Sequence, residues 1–170
     1  MDIHYQSFTA SRSTSLEFHP WLLKEFRNRW FIIGKPSKSN SIFTLALDRI
    51  ISISYSKKIY QIDETFDAEL FYKDVVGVTV SNIKPMNVTL FVSKKQAPYI
   101  LTKPIHTSQQ VVSERENGII ISLKVQHNFE LESVLLGFGE GVTVLSPIRL
   151  RNAMLAHLHK SIDAYNMSDI

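Results

Sequence analysis

Hydroxyl, imidazole and guanidinium groups are spaced through the first fifty residues in a pattern suited to gripping an anion. Ile3-His4-Tyr5-Gln6-Ser7-Phe8 alternates apolar and polar residues, as a half-buried strand does, so Tyr5 and Ser7 are expected on one face. His19 opens the segment His19-Pro20-Trp21-Leu22-Leu23-Lys24-Glu25-Phe26-Arg27-Asn28-Arg29-Trp30-Phe31-Ile32-Ile33-Gly34. Arg49 follows in Leu47-Asp48-Arg49-Ile50. The planar fork of arginine donates in pairs to phosphate oxygens, and aromatic rings beside it can stack a base. His19, Arg29 and Arg49, helped by Tyr5 and Ser7, are therefore expected to converge on a phosphate-bearing ligand. Each has a plainer reading. Tyr5 could be core with its hydroxyl at the rim, Arg27 a solvated turn residue and Trp30 core. Arg49 could bridge to Asp48 or Glu25.

Enzyme chemistry finds no comparable support. Gly137-Phe138-Gly139-Glu140-Gly141 looks like a dinucleotide fingerprint only on the surface. A true one follows a strand and opens a helix, whereas these glycines follow a helical pattern and precede a strand. No phosphate-cradling loop ends in Lys-Ser/Thr. The six histidines are His4, His19, His106, His127, His157 and His159, and no pair has the i, i+4 spacing of a helical zinc site. His157 and His159 face different sides of a helix. Ser108 near His106 lacks the glycine-flanked elbow of a hydrolase. There is no cysteine, which excludes disulfides and thiolate metal sites and fits a reducing cytosol. No catalytic residue, cofactor or metal is expected, and the expected location is cytoplasmic.

The chain has 170 residues, enough for one average domain or two small ones. Hydrophobic residues make up 44% and charged residues 21%, values that place it with folded globular chains rather than disordered ones. No apolar run approaches the roughly 20 residues of a membrane helix, and the first residues lack the basic-then-apolar order of a signal peptide. The net charge of +3 is unevenly spread, with +5 over residues 1–60, −4 over 61–80 and +2 over 81–170. The positive excess thus lies where the arginines lie.

Two kinds of organisation can be read. Residues 1–56 give five or so short strands with polar turns, which argues for a small β-barrel. Arg27-Asn28 is expected as a tight turn because Asn tolerates a left-handed backbone. Gly34-Lys35-Pro36-Ser37 is expected to end the strand at Trp30 to Ile33. A short helix is expected within 63–73, acidic early and basic late, and a strand over Val75 to Val80. The boundary is placed near Ser81 to Pro85. Thereafter the order is strand (87–92), helix (97–101), a hairpin (109–113 and 119–125) about Asn117-Gly118, helix (129–136), strand (141–145) and a final helix. Ser146 is expected as its N-cap and Pro147 at its first position. This is the βαββαβ pattern of ferredoxin-like folds with one helix added.

The chain resembles the C-terminal region of bacterial WYL-domain transcriptional regulators. Trp30-Phe31-Ile32 stands where that family has Trp-Tyr-Leu, so the Tyr hydroxyl is lost at Phe31 while the apolar packing is kept. His19-Pro20, Leu22-Leu23-Lys24-Glu25, Arg27-Asn28-Arg29 and Leu47-Asp48-Arg49-Ile50 fit the pattern. Phe71-Tyr72-Lys73-Asp74-Val75-Val76-Gly77-Val78 looks like the segment that closes the region. Pro104-Ile105-His106-Thr107-Ser108-Gln109, Leu135-Leu136-Gly137 and Val144-Leu145-Ser146-Pro147 look like the WCX extension. The resemblance implies an α+β chain: an Sm-like, SH3-type barrel over 1–80 and a ferredoxin-like module over 85–166. It implies a sensor that binds single-stranded nucleic acid or a nucleotide through Tyr5, Ser7, His19, Arg29 and Arg49. It also implies a homodimer that reaches promoter DNA through an N-terminal helix-turn-helix. No helix-turn-helix is visible, and the first strand begins almost at Met1. A piece of a longer protein is the expected reading, and a standalone sensor the alternative. The rival function is an assembly module that binds no ligand.

Overall fold

The computed structural model describes residues 1–57, 59–60 and 63–167. The chain is α+β, with two antiparallel sheets and four α-helices among the described residues. It separates into two compact units, Met1–Phe71 and Tyr72–Ile170.

In the first unit, β1 (Asp2–Tyr5), β2 (Thr14–Phe26), β3 (Arg29–Pro36), β4 (Phe43–Ala46) and β5 (Ile50–Ser54) form one sheet in the order β4-β3-β2-β1-β5. Strand β2 is 13 residues long and changes partner along its length. Residues 14–17 pair with β1 and residues 18–26 with β3, with a register shift between Pro20 and Leu22. Proline cannot donate to a ladder, so an irregularity there is the expected accommodation. Phe18, at the changeover, is fully buried against Ile3, Ile32 and Leu45. Strand β3 does not stop at Gly34 but continues to Pro36. Gly34 lies so close to β2 that an added Cβ would stand 2.1 Å from the His19 carbonyl oxygen. Arg27 and Asn28 make the expected tight turn with φ of 50° and 63°.

Strands β4 and β5 are the two edges of this sheet, yet only the single 3-10 turn Leu47–Arg49 separates them. Four residue steps reach at most about 14 Å, so the sheet must curl to bring its edges together. No ladder joins β4 to β5. The closed barrel expected from the strand count is thus a curled, open sheet. Closure needs a matching stagger as well as five strands. Helix α1 (Ala68–Tyr72) lies within the expected 63–73. Phe66 packs at a tilt against Trp21 and Phe71, with ring centroids 5.2 and 5.4 Å away.

In the second unit, β6 (Met86–Ser93), β7 (Gln110–Arg115), β8 (Gly118–Val125) and β9 (Val142–Ser146) form an antiparallel sheet in the order β7-β8-β6-β9. With α2 (Ala97–Thr102) after β6 and α3 (Phe129–Leu136) after β8, this is the ferredoxin-like arrangement. Strand β7 is an edge with a bulge between Val111 and Ser113. Val88, Leu90 and Ile121 of the sheet share one core with Ile100 of α2, Leu131 of α3 and Leu150 of the last helix, α4 (Ile148–Asn166). The cap of α4 differs from expectation. Ser146 stays in the β9 ladder opposite Thr89, and Pro147, extended, is the cap residue with no side-chain bond. The ladder holds Ser146, and proline disfavours a helical residue before it.

Residues 75–80 form no strand. Val75, Val76 and Val78 are buried, and Val76 belongs to the second core. Side chains of α3 satisfy the backbone instead. Asn128 caps α3 by accepting from Leu131 N–H at 2.9 Å and donates to the carbonyls of Val76 (3.0 Å) and Thr79 (3.1 Å). Glu130 accepts from the Thr79 N–H (3.1 Å) and hydroxyl (2.6 Å).

Glu132 ties three places together. Its carboxylate accepts from His127 Nε2 at 2.5 Å and from His157 Nε2, on α4, at 3.0 Å. Burial alone would push this carboxyl up, but the bonds and charges of the two imidazoles hold it below the usual carboxylate range. A depressed carboxyl adds stability that is present above its unfolded value and is lost as pH falls through the folded value.

Two measurements check these packing statements. Gly34→Ala should lower the urea midpoint by about 1–3 kcal/mol of stability through overpacking against His19, and an unchanged midpoint would contradict the close approach. Between about pH 5 and pH 3 the native chain should lose stability more steeply than Glu132→Gln. Parallel curves would mean the two imidazole bonds contribute nothing.

Candidate functional site

The most reactive-looking pair of the second unit is occupied structurally. His106 Nδ1 lies 2.8 Å from Ser108 Oγ and 3.1 Å from the Ser108 N–H. Ser108 Oγ also bonds the Lys124 carbonyl at 3.2 Å and accepts from the Lys124 N–H at 2.9 Å. The hydroxyl therefore extends the β7–β8 pairing and is not a free nucleophile. Burial pushes the His106 ring below its usual range, against the opposing charge of Asp74 and a hydrogen bond to the Lys73 backbone. Among the described residues no group of three or more His, Cys, Asp or Glu side chains is placed to hold a metal ion.

The first unit distributes the five anion-gripping candidates unequally. Strand β1 ends at Tyr5, so Ser7 sits in the loop over 6–13 and shares no strand face with it. Tyr5 packs half-buried against the core. His19 is buried, with Nε2 2.8 Å from Ser37 Oγ and its ring 6.1 Å from that of Tyr60. Tyr60 donates its hydroxyl to the Pro20 carbonyl. Arg29, at the start of β3, is engaged by Asp48: Nε to Oδ2 is 3.1 Å. The bridge to Asp48 considered for Arg49 is therefore made by Arg29, and Glu25 accepts from the Asn28 N–H instead.

Arg49 is different. It ends the 3-10 turn between the two sheet edges, and its carbonyl accepts from the Gln6 N–H at 3.1 Å. Its guanidinium lies 4.6 Å over the ring of Phe8. Its Nε is buried and has no hydrogen-bond partner among the described residues. A buried donor left unmade costs about 1–3 kcal/mol, which is the state expected of a group whose partner comes from outside. Around it opens a shallow cavity of about 350 Å³, lined by Gln6, Ser7, Phe8, Asp48, Arg49 and Ile51. Ser7 and Arg49 thus line one cavity. Arg29 touches its margin through Asp48, while Tyr5 and His19 do not line it.

Phe8 and Gln6 were not among the candidates. Phe8 is 71% exposed, and its ring lies under the Arg49 guanidinium. Read as the last residue of an alternating strand, it looked like an ordinary apolar position. Trp30, expected in the core, is 52% exposed. Arg27 lies in the turn with its guanidinium 5.8 Å from the Phe26 ring.

Comparison with known proteins supplies the remaining information. No curated protein matches the chain. Among solved structures, the proteasome accessory factor B/C (PafBC) of Arthrobacter aurescens is 19% identical, with 95% of this chain and 24% of that one covered and a TM-score of 0.40. A CRISPR Cas-related protein is 11% identical, with 99% of this chain and 48% of that one covered and a TM-score of 0.55. The chain spans about a quarter and about half of these two structures. The second superposition supports a shared fold alone, and the first is too loose to support even that. The WYL domain family matches residues 1–54, and the WCX domain family matches residues 84–161. The chain thus carries a WYL domain followed by a WCX domain.

Proposed function

We propose that the chain is the ligand-sensing region of a transcriptional regulator, regulatory rather than catalytic, and that the cavity about Arg49 takes the ligand. The observation that carries this reading is the buried, unpartnered Nε of Arg49 beside the exposed Phe8 ring. The ligand contains phosphate and is a short single strand of nucleic acid or a nucleotide. Arg49 pairs with phosphate oxygens, the Ser7 hydroxyl adds a donor, and Phe8 offers a face for a base, worth about 1–3 kcal/mol per stacked base. Arg29 joins when the phosphate displaces Asp48. Tyr5, paired with Ile50 beside Arg49, supports that end of the sheet, whereas His19, bonded to Ser37, does not line the cavity. Binding shifts the balance between states of the region. In a homodimer, that shift changes the spacing of N-terminal heads on promoter DNA. No helix among the described residues is long and apolar enough to cross a membrane, and the cytoplasm is the setting such a regulator needs.

The rival reading, an assembly module without a ligand, draws on β5, an edge strand whose Ile51 and Ile53 are 57% and 55% exposed. The bridge between Arg29 and Asp48 lies within one chain, which argues against arginines that bridge subunits.

A fluorescent oligonucleotide titrated at several salt concentrations tests the leading reading. Affinity should fall as salt rises, by about 0.7 in log-log slope per phosphate neutralised. Arg49→Ala should weaken binding about tenfold or more with the urea midpoint nearly unchanged. Asp48→Asn should strengthen it by freeing Arg29. Absence of binding at low salt, or binding indifferent to salt, overturns the proposal. Light scattering that shows a dimer lost in Ile53→Glu, with no ligand response in either protein, supports the assembly reading.

A further inference from the structure

We infer that the second unit carries a separate small-molecule site, and that it takes a free amino acid with a large apolar side chain. The inference is independent of the Arg49 reading. Between α3, β9 and α4 lies a half-open cavity of about 460 Å³. That volume falls within the roughly 300–1,000 Å³ of small-ligand sites. Its walls are Leu135 and Leu136 of α3, Val144 of β9, and Met154, Leu155 and Leu158 of α4. Leu135, Val144 and Met154 are buried floor, whereas Leu155 and Leu158 keep 44% and 46% of their surface exposed. Those two are the apolar area that a ligand would cover.

The walls are held in place. The bond from His157 Nε2 to Glu132 ties α4 to α3, and β9 is hydrogen-bonded into the sheet beside β6. Two charged side chains also line the cavity: Glu140, in the 3-10 turn Gly139–Gly141, and Arg151, the fourth residue of α4. Neither has an ion-pair or side-chain hydrogen-bond partner among the described residues.

Charge complementarity then selects the occupant. A fatty acid would satisfy Arg151 and set its own carboxylate against Glu140. An apolar amine would satisfy Glu140 and meet Arg151. A molecule with an apolar body and one charge of each sign satisfies both, and an α-amino acid is the smallest such molecule. Its carboxylate faces the guanidinium, its ammonium faces Glu140, and its side chain covers Leu155 and Leu158.

The test uses the whole 170-residue chain. Thermal unfolding and calorimetric titration are run with L-leucine, L-phenylalanine and L-tryptophan, and with leucinamide and isocaproate, which lack the carboxylate and the ammonium in turn. A saturable rise in Tm with at least one amino acid is expected, with binding about tenfold weaker for each truncated analogue. Arg151→Ala should abolish the preference over leucinamide, and Glu140→Ala the preference over isocaproate. Both residues are exposed, so the Tm without ligand should be unchanged. The inference is overturned if no amino acid gives a saturable shift, or if the truncated analogues bind as well. It is also overturned by concentration-dependent self-association that Leu158→Glu abolishes, which would assign the groove to a second copy of the chain.

Discussion

The first unit depends on one strand belonging to two ladders. Strand β2 hands its hydrogen bonds from β1 to β3 at Glu17 and Phe18, and it can do so only because β3 comes very close just beyond. Gly34 makes that approach possible, since any side chain there would strike the His19 carbonyl. Phe18, at the changeover, fills the interior. The sheet is curled enough for one 3-10 turn to span its edges. Asp48 and Arg49 lie in that turn. Their position at the cavity follows from the pairing of β5 with β1: Tyr5 lies opposite Ile50 and the Gln6 N–H donates to the Arg49 carbonyl, which sets the turn beside the loop that carries Ser7 and Phe8.

Two arginines of the same unit show how placement decides chemistry. Arg29 and Asp48 are both roughly 40% exposed, so their pair is screened by water and is easily exchanged for another partner. Arg49 has a buried Nε and an aromatic ring beneath its guanidinium. Desolvation makes its interactions stronger and makes the missing partner costly. A charge count over the first sixty residues treats the two alike.

Local signals made the second unit legible in sequence. Asn117-Gly118 marks the hairpin, and the helix expected over 129–136 is observed as Phe129–Leu136. Residues 75–80 were not legible, because a run of valines satisfies the period of a strand. Its hydrogen bonds go to Asn128 and Glu130, about fifty residues away, and no local pattern reports that. In the first unit the strands could be read but their curvature could not, since it depends on register and on a contact between Gly34 and His19. Arg49 stood out as a lone cation among apolar residues, whereas Phe8 was hidden by the alternation that made it look ordinary. The joining of Ser7 to Arg49 follows from the loop over 6–13, whose path the sequence pattern does not specify.

Strand β7 lies at the rim of its sheet, with Val111 and Val112 both about half exposed. A straight rim with adjacent valines is a template on which a second chain can add its own strand, and the process can repeat without limit. The extra residue between Val111 and Ser113 breaks the straight run, and Glu114 and Arg115 put charge beside it. The irregularity that weakens this hairpin is therefore also a guard against fibre growth at high protein concentration.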